Sequence, residues 1–169
     1  VYCQADTFMI LTIAGSLVLF LTFLRFAVAL VNMLSRPYLP YVTRGRSRLP
    51  SLSILIPVRN EEKNIGTLLG SLALLPYENS EIIVYDDGST DNTAEVVAVC
   101  ARIDRRIRCI GGDDLPDGWT GKNLACHRLA AEAVNEYLLF LDADVTVGED
   151  LLKRAVSFAA RHRLALLSM

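Results

Sequence analysis

Four short runs rich in Ile, Leu and Val recur along residues 51–169: Leu52–Val58, Glu81–Tyr85, Ile107–Ile110 and Tyr137–Leu141. Between them lie longer amphipathic stretches, Lys63–Leu75, about Asn92–Ile103, Lys122–Val134 and Asp150–Arg161, with Asp91 placed to cap the second. Leu164–Leu167 reads as the opening of a fifth strand. Continuous aliphatic strands separated by helices predict an α/β fold, a mostly parallel sheet with helices on both faces.

In such sheets ligands bind beyond the carboxyl ends of the strands. The segments falling there are Pro57 to Glu62, Asp86 to Asp91, Gly111 to Lys122 and Asp142 to Asp144. Four consecutive strand ends thus deliver polar, acidic or glycine-rich loops to one edge. That clustering is the strongest functional signal in the chain.

Asp142 and Asp144 stand two apart after a strand, so an extended backbone would point both carboxylates the same way. Such a pair suits a hard cation, Mg²⁺ or Mn²⁺, with phosphate oxygens and water completing the shell; the plain alternative is an acidic turn. Asp86 and Asp87 could accept hydrogen bonds from a base or ribose, or serve helix capping. Asn60 and Glu61 are open to base contact or to turn formation. Lys122 begins a helix, where the dipole disfavours a cation unless an anion binds there too; an exposed lysine is the other reading. Trp119 could cover a sugar or base, or anchor its loop. His127 reads as structural, and Arg102, Arg105, Arg106 and Arg108 as a solvated edge. No GxGxxG is present, and Gly121-Lys122 fails as a phosphate loop because Pro116 and Asn123 occupy its glycine and Ser/Thr positions.

Hydrophobic residues make up 52% of the 169 residues, and the excess is concentrated in residues 1–34. Phe8–Leu34 is apolar, small or Ser/Thr except for Arg25 and Asn32. That length spans a bilayer as a helix, with Arg25 snorkelling toward the C-terminal interface. A cleaved signal peptide would carry its positive charge in front. Here Arg36, Arg44, Arg46 and Arg48 follow the run and Asp6 precedes it. The expected organisation is a single-pass anchor over 1–34, a basic juxtamembrane linker over 35–50, and a cytoplasmic globular part over 51–169. The net charge of −2 offers no field for nucleic acid. The four cysteines show no metal or disulfide spacing and read as small buried thiols. A chain that opens on Val1 and stops at Met169 reads as a fragment.

Three segments, Ser53 to Glu62 (SILIPVRNEE), Ile83 to Asp91 (IVYDDGSTD) and Leu139 to Asp144 (LFLDAD), resemble family 2 glycosyltransferases of the GT-A fold. Leu115 to His127 (LPDGWTGKNLACH) is similar to a narrower subgroup, the hopene-associated and carotenoid glycosyltransferases, with ceramide glucosyltransferase more distant. The resemblance covers Ser51 to Met169. It implies a nucleotide pocket lined by Pro57, Arg59, Glu61 and Asp87 with Asp86 assisting. Lys122 would approach the nucleotide or its diphosphate. Asp142 and Asp144 would form the metal pair, Asp144 nearest the metal and Asp142 nearer the ribose. The implied reaction is an inverting, metal-dependent transfer from a nucleoside-diphosphate sugar to a lipid acceptor such as a hopanoid, carotenoid or sphingolipid-like alcohol. A UDP-sugar is favoured and GDP stays open. The catalytic base is expected beyond Met169. Leu138 to Val147 (LLFLDADVTV) also fits the opening signature of haloacid-dehalogenase-type phosphatases, with Asp142 as nucleophile and Asp144 as acid/base. A non-catalytic, membrane-tethered nucleotide-binding module is the third reading.

Overall fold

The structure is a computed structural model that describes residues 2–34, 49–112 and 115–168. The chain divides into two units. The first is one helix, α1 (Tyr2–Leu34), whose segment Leu11–Leu34 is long and apolar enough to cross a membrane by length and composition. At 1.5 Å per residue its 24 residues measure about 36 Å. Phe20, Phe23 and Phe26 are all exposed on it. The four arginines of the expected linker, at 36, 44, 46 and 48, lie outside the described residues.

The second unit is the expected α/β layer: β1 (Leu52–Val58), α2 (Ile65–Leu74), β2 (Ser80–Asp86), α3 (Thr93–Ile103), β3 (Ile107–Gly111), α4 (Gly121–Glu132), β4 (Tyr137–Phe140) and α5 (Leu151–His162). All three strand pairings are parallel and the order is β3-β2-β1-β4. The chain builds outward from β1 through β2 to β3, then returns to place β4 on the other side of β1. Strand alternation sorts the core. Leu52, Ile54, Ile56 and Val58 pack with Ile65, Leu68, Leu69 and Leu72 of α2, Val97 of α3 and Leu152 and Val156 of α5. Leu55, Ile83 and Tyr85 face the opposite way, onto Ala125 and Leu129 of α4. Each fully buried leucine or isoleucine contributes about 1.5–3 kcal/mol relative to exposure.

Leu164–Leu167 forms no strand. Instead it lines, with β4 and α5, an apolar cavity of about 530 Å³. A strand needs ladder partners for its backbone groups, and none of the hydrogen bonds along the open edge of β4 reaches this run. The buried-thiol expectation also fails for the three cysteines whose side chains are described: Cys100 and Cys126 are half-buried and Cys109 is exposed, while the Cys3 side chain lies outside the described residues. The basic turn is a solvated edge at Arg102 and Arg105, both exposed, but not at Arg106 and Arg108. Arg106 grips both Asp104 oxygens and donates to the carbonyls of Leu72, Ala73 and Tyr77, closing the C-terminus of α2. Arg108 reaches Glu132 at the end of α4.

At the amino ends of the strands, the fully buried Ser53 donates to Glu81 Oε1 at 2.5 Å. The same oxygen accepts the Val134 amide, and Asn135 donates from its amide to Ser53 and from its side chain to the Leu52 carbonyl. One buried polar knot therefore joins β1, β2 and the approach to β4.

Tyr77 is buried beside β1, its phenol donating to the Pro50 carbonyl at 2.7 Å. Burial, reinforced by Glu136 and Tyr137, pushes its pKa up to about 12 from 10.0. The folded state thus favours the neutral phenol. This contribution is complete below pH 10 and lost as pH rises toward 12. Urea unfolding of Tyr77→Phe should lack the part of the stability loss over that window that the phenol causes; an unchanged slope would remove Tyr77 as its source.

Candidate functional site

The return of the chain from β3 to β4 makes a topological switch point beside β1, where the carboxyl ends of neighbouring strands diverge and leave a crevice. Pro57 suits its place there. Leu55 accepts from Leu141 on the β4 side and Val58 accepts from Asp87 on the β2 side. By alternation the Pro57 backbone faces the β4 side, past Phe140 where that strand has ended. A residue without an N–H costs the ladder nothing at this point.

The loops after β1 and β2 are laced together. Asn60 takes a left-handed conformation, φ 57°, which asparagine tolerates. Its Oδ1 accepts from the Thr90 amide at 2.8 Å, and its own amide donates to Ser89 Oγ at 3.0 Å. The Glu61 amide donates to Thr93 Oγ1, the Glu62 amide to Asp91, and the Asn92 amide to Glu62. The N-cap position of α3 falls to Asn92, one residue after the expected Asp91, whose carboxylate still accepts the Thr93 amide at 3.0 Å. The Thr93 hydroxyl hydrogen bond holds that carboxyl below the usual range. Of the two residues left open between base contact and turn formation, Asn60 is engaged in the turn, while Glu61 lines the crevice and receives the Asn64 side chain.

The crevice has a volume of about 480 Å³ and is bounded by Pro57, Arg59, Glu61 and Asp87 from the first two strand ends, by Gly121 and Lys122 of α4, and by Asp142 and Asp144 after β4. That size falls among small-molecule sites. Every residue that the family resemblance assigned to the pocket lines it except Asp86, whose carboxylate accepts the Ser89 amide at 2.9 Å and closes the turn after β2. The convergence of Asp142 and Asp144 has a different origin from the one expected. β4 ends at Phe140 and both aspartates lie beyond it, with the buried Ala143 between them. It is the bend after the strand, not strand alternation, that turns both toward the crevice.

Two ion pairs cross the site. Arg59 Nη1 stands 3.3 Å from Asp87 Oδ2, and Lys122 Nζ stands 2.7 Å from Asp142 Oδ1. The hydrogen bond to Asp142 raises the Lys122 pKa and fixes it as a cation. Gly121, missed in the sequence reading, is the point of closest approach: a Cβ there would overlap Asp87 Oδ2. Its place between Thr120 and Lys122 at a helix start was the available signal. Trp119 is 41% exposed and packs on the ring of His127, centroids 5.2 Å apart, the loop-anchor alternative for both residues. Among the described residues no group of three or more His, Cys, Asp or Glu side chains gathers closely enough to hold a metal by itself.

The family profile described as Glycosyl transferase family 2 matches residues 53–168. A 4,4'-diaponeurosporenoate glycosyltransferase of Staphylococcus haemolyticus is 35% identical over 121 residues, covering 70% of this chain and 31% of that protein. Its namesake from Staphylococcus aureus is 43% identical over 96 residues, 57% of this chain and 24% of that one. The chain thus spans a third or less of the length of these relatives. Among solved structures, S. aureus TarS 1-349 in complex with UDP-GlcNAc superposes with a TM-score of 0.55 at 30% identity, over 67% of this chain and 32% of that one. The mannosyltransferase PcManGT from Pyrobaculum calidifontis, solved with GDP-Man and Mn²⁺, shares the fold with a TM-score of 0.62 at 22% identity, over 81% of this chain and 39% of that one. The profile runs through all four loops of the crevice, whereas the phosphatase signature accounted for Asp142 and Asp144 alone. With the GT-A superpositions and the crevice at the switch point, it gives the assignment: this chain belongs to glycosyl transferase family 2.

Proposed function

We propose that this chain is the nucleotide-sugar-binding part of a membrane-anchored, inverting glycosyltransferase that moves a sugar from a UDP-sugar to a lipid-type acceptor with the help of a divalent cation. The observation that carries the donor-site reading is the gathering of Pro57, Arg59, Glu61, Asp87, Lys122, Asp142 and Asp144 around one crevice at the switch point. Asp87 and Glu61 are hydrogen-bond acceptors for the base and ribose. Arg59 and Lys122 are the cations available to a diphosphate.

The donor set fits a hard cation in one respect: Asp142 and Asp144 offer carboxylate oxygens on the same wall. Two carboxylates without a third protein ligand suit Mg²⁺ or Mn²⁺, which keep water and phosphate oxygens in their shell. Asp144 is assigned nearest the metal and Asp142 nearer the ribose. Bound there, the cation would neutralise charge on the departing nucleoside diphosphate. The chain's own part is to seat the nucleotide and to hold the diphosphate between Lys122 and the acidic wall. The proton of the acceptor hydroxyl needs a base on the acceptor side, and none of the crevice residues is assigned that role.

UDP is favoured because the TarS structure, at 30% identity, holds UDP-GlcNAc. The relatives named for a carotenoid acid support an apolar acceptor. An acceptor of that kind resides in the bilayer, and Leu11–Leu34 is suited to keep the enzyme there, with the globular part on the cytoplasmic side. A signal sequence near an N-terminus would meet the same length and composition, so retention of this helix in membranes after carbonate extraction is the discriminating observation.

Calorimetric titration tests the donor site. UDP should bind more tightly with Mn²⁺ than with EDTA, and Asp144→Ala should bring the Mn²⁺ affinity down about tenfold, to the EDTA level. Failure of both UDP and GDP to bind the folded chain would sink the donor-site reading.

A further inference from the structure

Both cations that line the crevice are paired with carboxylates that line it too. Lys122 Nζ lies 2.7 Å from Asp142 Oδ1, and Arg59 Nη1 lies 3.3 Å from Asp87 Oδ2. The carboxylate that Lys122 pairs with is one of the two offered to the divalent cation, and its Oδ1 already accepts the ammonium. An ammonium and a divalent ion compete for the same lone pairs and repel each other across so short a distance. Neither partner is locked in place. The Lys122 and Asp142 side chains are 67% and 58% exposed, so the pair is a solvated contact that a better partner for either member can dissolve. A diphosphate is that partner, because its oxygens can draw the ammonium off while offering the metal further ligands.

We infer that Lys122 is a placeholder cation: it holds Asp142 before the donor arrives and then passes to the diphosphate, so that metal binding is weak without nucleotide and strengthens with it. The inference rests on the donor-site reading above. It assigns Lys122 a second task, setting the order of binding, that diphosphate contact alone does not require. No third acidic or histidine ligand is gathered here among the described residues, so the metal site is incomplete until phosphate oxygens and a released Asp142 supply the rest. Arg59 and Asp87 repeat the arrangement at the loops after β1 and β2, so that the crevice's own carboxylates neutralise its cations.

The test is Mn²⁺ binding followed by electron paramagnetic resonance of the free ion, with and without UDP, on the full chain and on Lys122→Met and Lys122→Gln. Without nucleotide, the unsubstituted chain should bind Mn²⁺ weakly, and both variants should bind it about three- to tenfold more tightly, the range expected for removing an exposed ion pair and the repulsion behind it. With UDP present the order should reverse, the variants holding Mn²⁺ less tightly than the unsubstituted chain. Both side chains are exposed, so folding should be unaffected, and circular dichroism checks it. Equal nucleotide-free Mn²⁺ affinity in all three proteins, alongside UDP-supported binding that Asp142→Ala abolishes, overturns the placeholder role and leaves the donor site standing. If UDP fails to support Mn²⁺ binding in the unsubstituted chain, the donor-site reading and this inference fall together.

Discussion

Gly121→Ala is expected to weaken UDP or GDP binding by about ten- to a hundredfold while leaving the thermal unfolding midpoint within a few degrees of the parent. The new methyl group would overlap Asp87 Oδ2 and stand 3.0 Å from its Cγ. Real side chains do not approach so closely, so the Asp87 carboxylate must rotate away, giving up Arg59 and its place on the crevice wall. A hydrogen bond to a charged group contributes about 1.5–3 kcal/mol, which sets the size of the affinity loss. Stability is spared because the displaced group is the end of a side chain, and alanine favours the helix over glycine by up to about 1 kcal/mol. Calorimetry and a thermal melt on the same sample separate the two effects. Unchanged nucleotide affinity would show that Asp87 takes no part in holding the donor.

Arg106→Ala should have the opposite signature, a loss of about 2–4 kcal/mol in stability with nucleotide contacts untouched. Its guanidinium is 23% exposed and satisfies three carbonyls from α2 and the turn that follows, besides the Asp104 carboxylate, which it holds below the usual range. Removing it strands the C-terminal carbonyls of α2 and leaves Asp104, 13% exposed, without its cation. Arg106→Lys should recover only part of the loss, because one ammonium cannot reproduce a planar fork spread over four partners. A urea midpoint within error of the parent would mean that water replaces the guanidinium without cost.

The α/β architecture was legible because the central strands β1 and β2 contain near-continuous aliphatic runs, and runs of that kind are stable only when covered on both faces, as these are. The grouping of Arg59, Asp87, Lys122 and Asp142 was legible for a related reason: in a parallel sheet every strand ends at the same edge, so the loops to inspect are known before their shape is. What escaped depended on three-dimensional partners. Arg106 lies amid four arginines in a seven-residue stretch, and nothing local distinguishes the one that meets the end of α2, more than thirty positions away in sequence. Leu164–Leu167 carries strand composition, but composition does not supply a ladder. Asp86 and Asp87 are adjacent and chemically identical; only the turn decides that the first binds Ser89 while the second faces the crevice.

The knot of Ser53, Glu81 and Asn135 lies at the opposite end of the sheet from the crevice, roughly 16 Å along β1 at the usual strand rise. It nonetheless ties β1, β2 and the approach to β4 to one another, and the loops that follow those three strands hold Arg59, Asp87 and Asp142. The spacing of the crevice side chains is therefore calibrated from behind. A lesion at Ser53 is expected to show at the crevice, although Ser53 lies at the other end of β1.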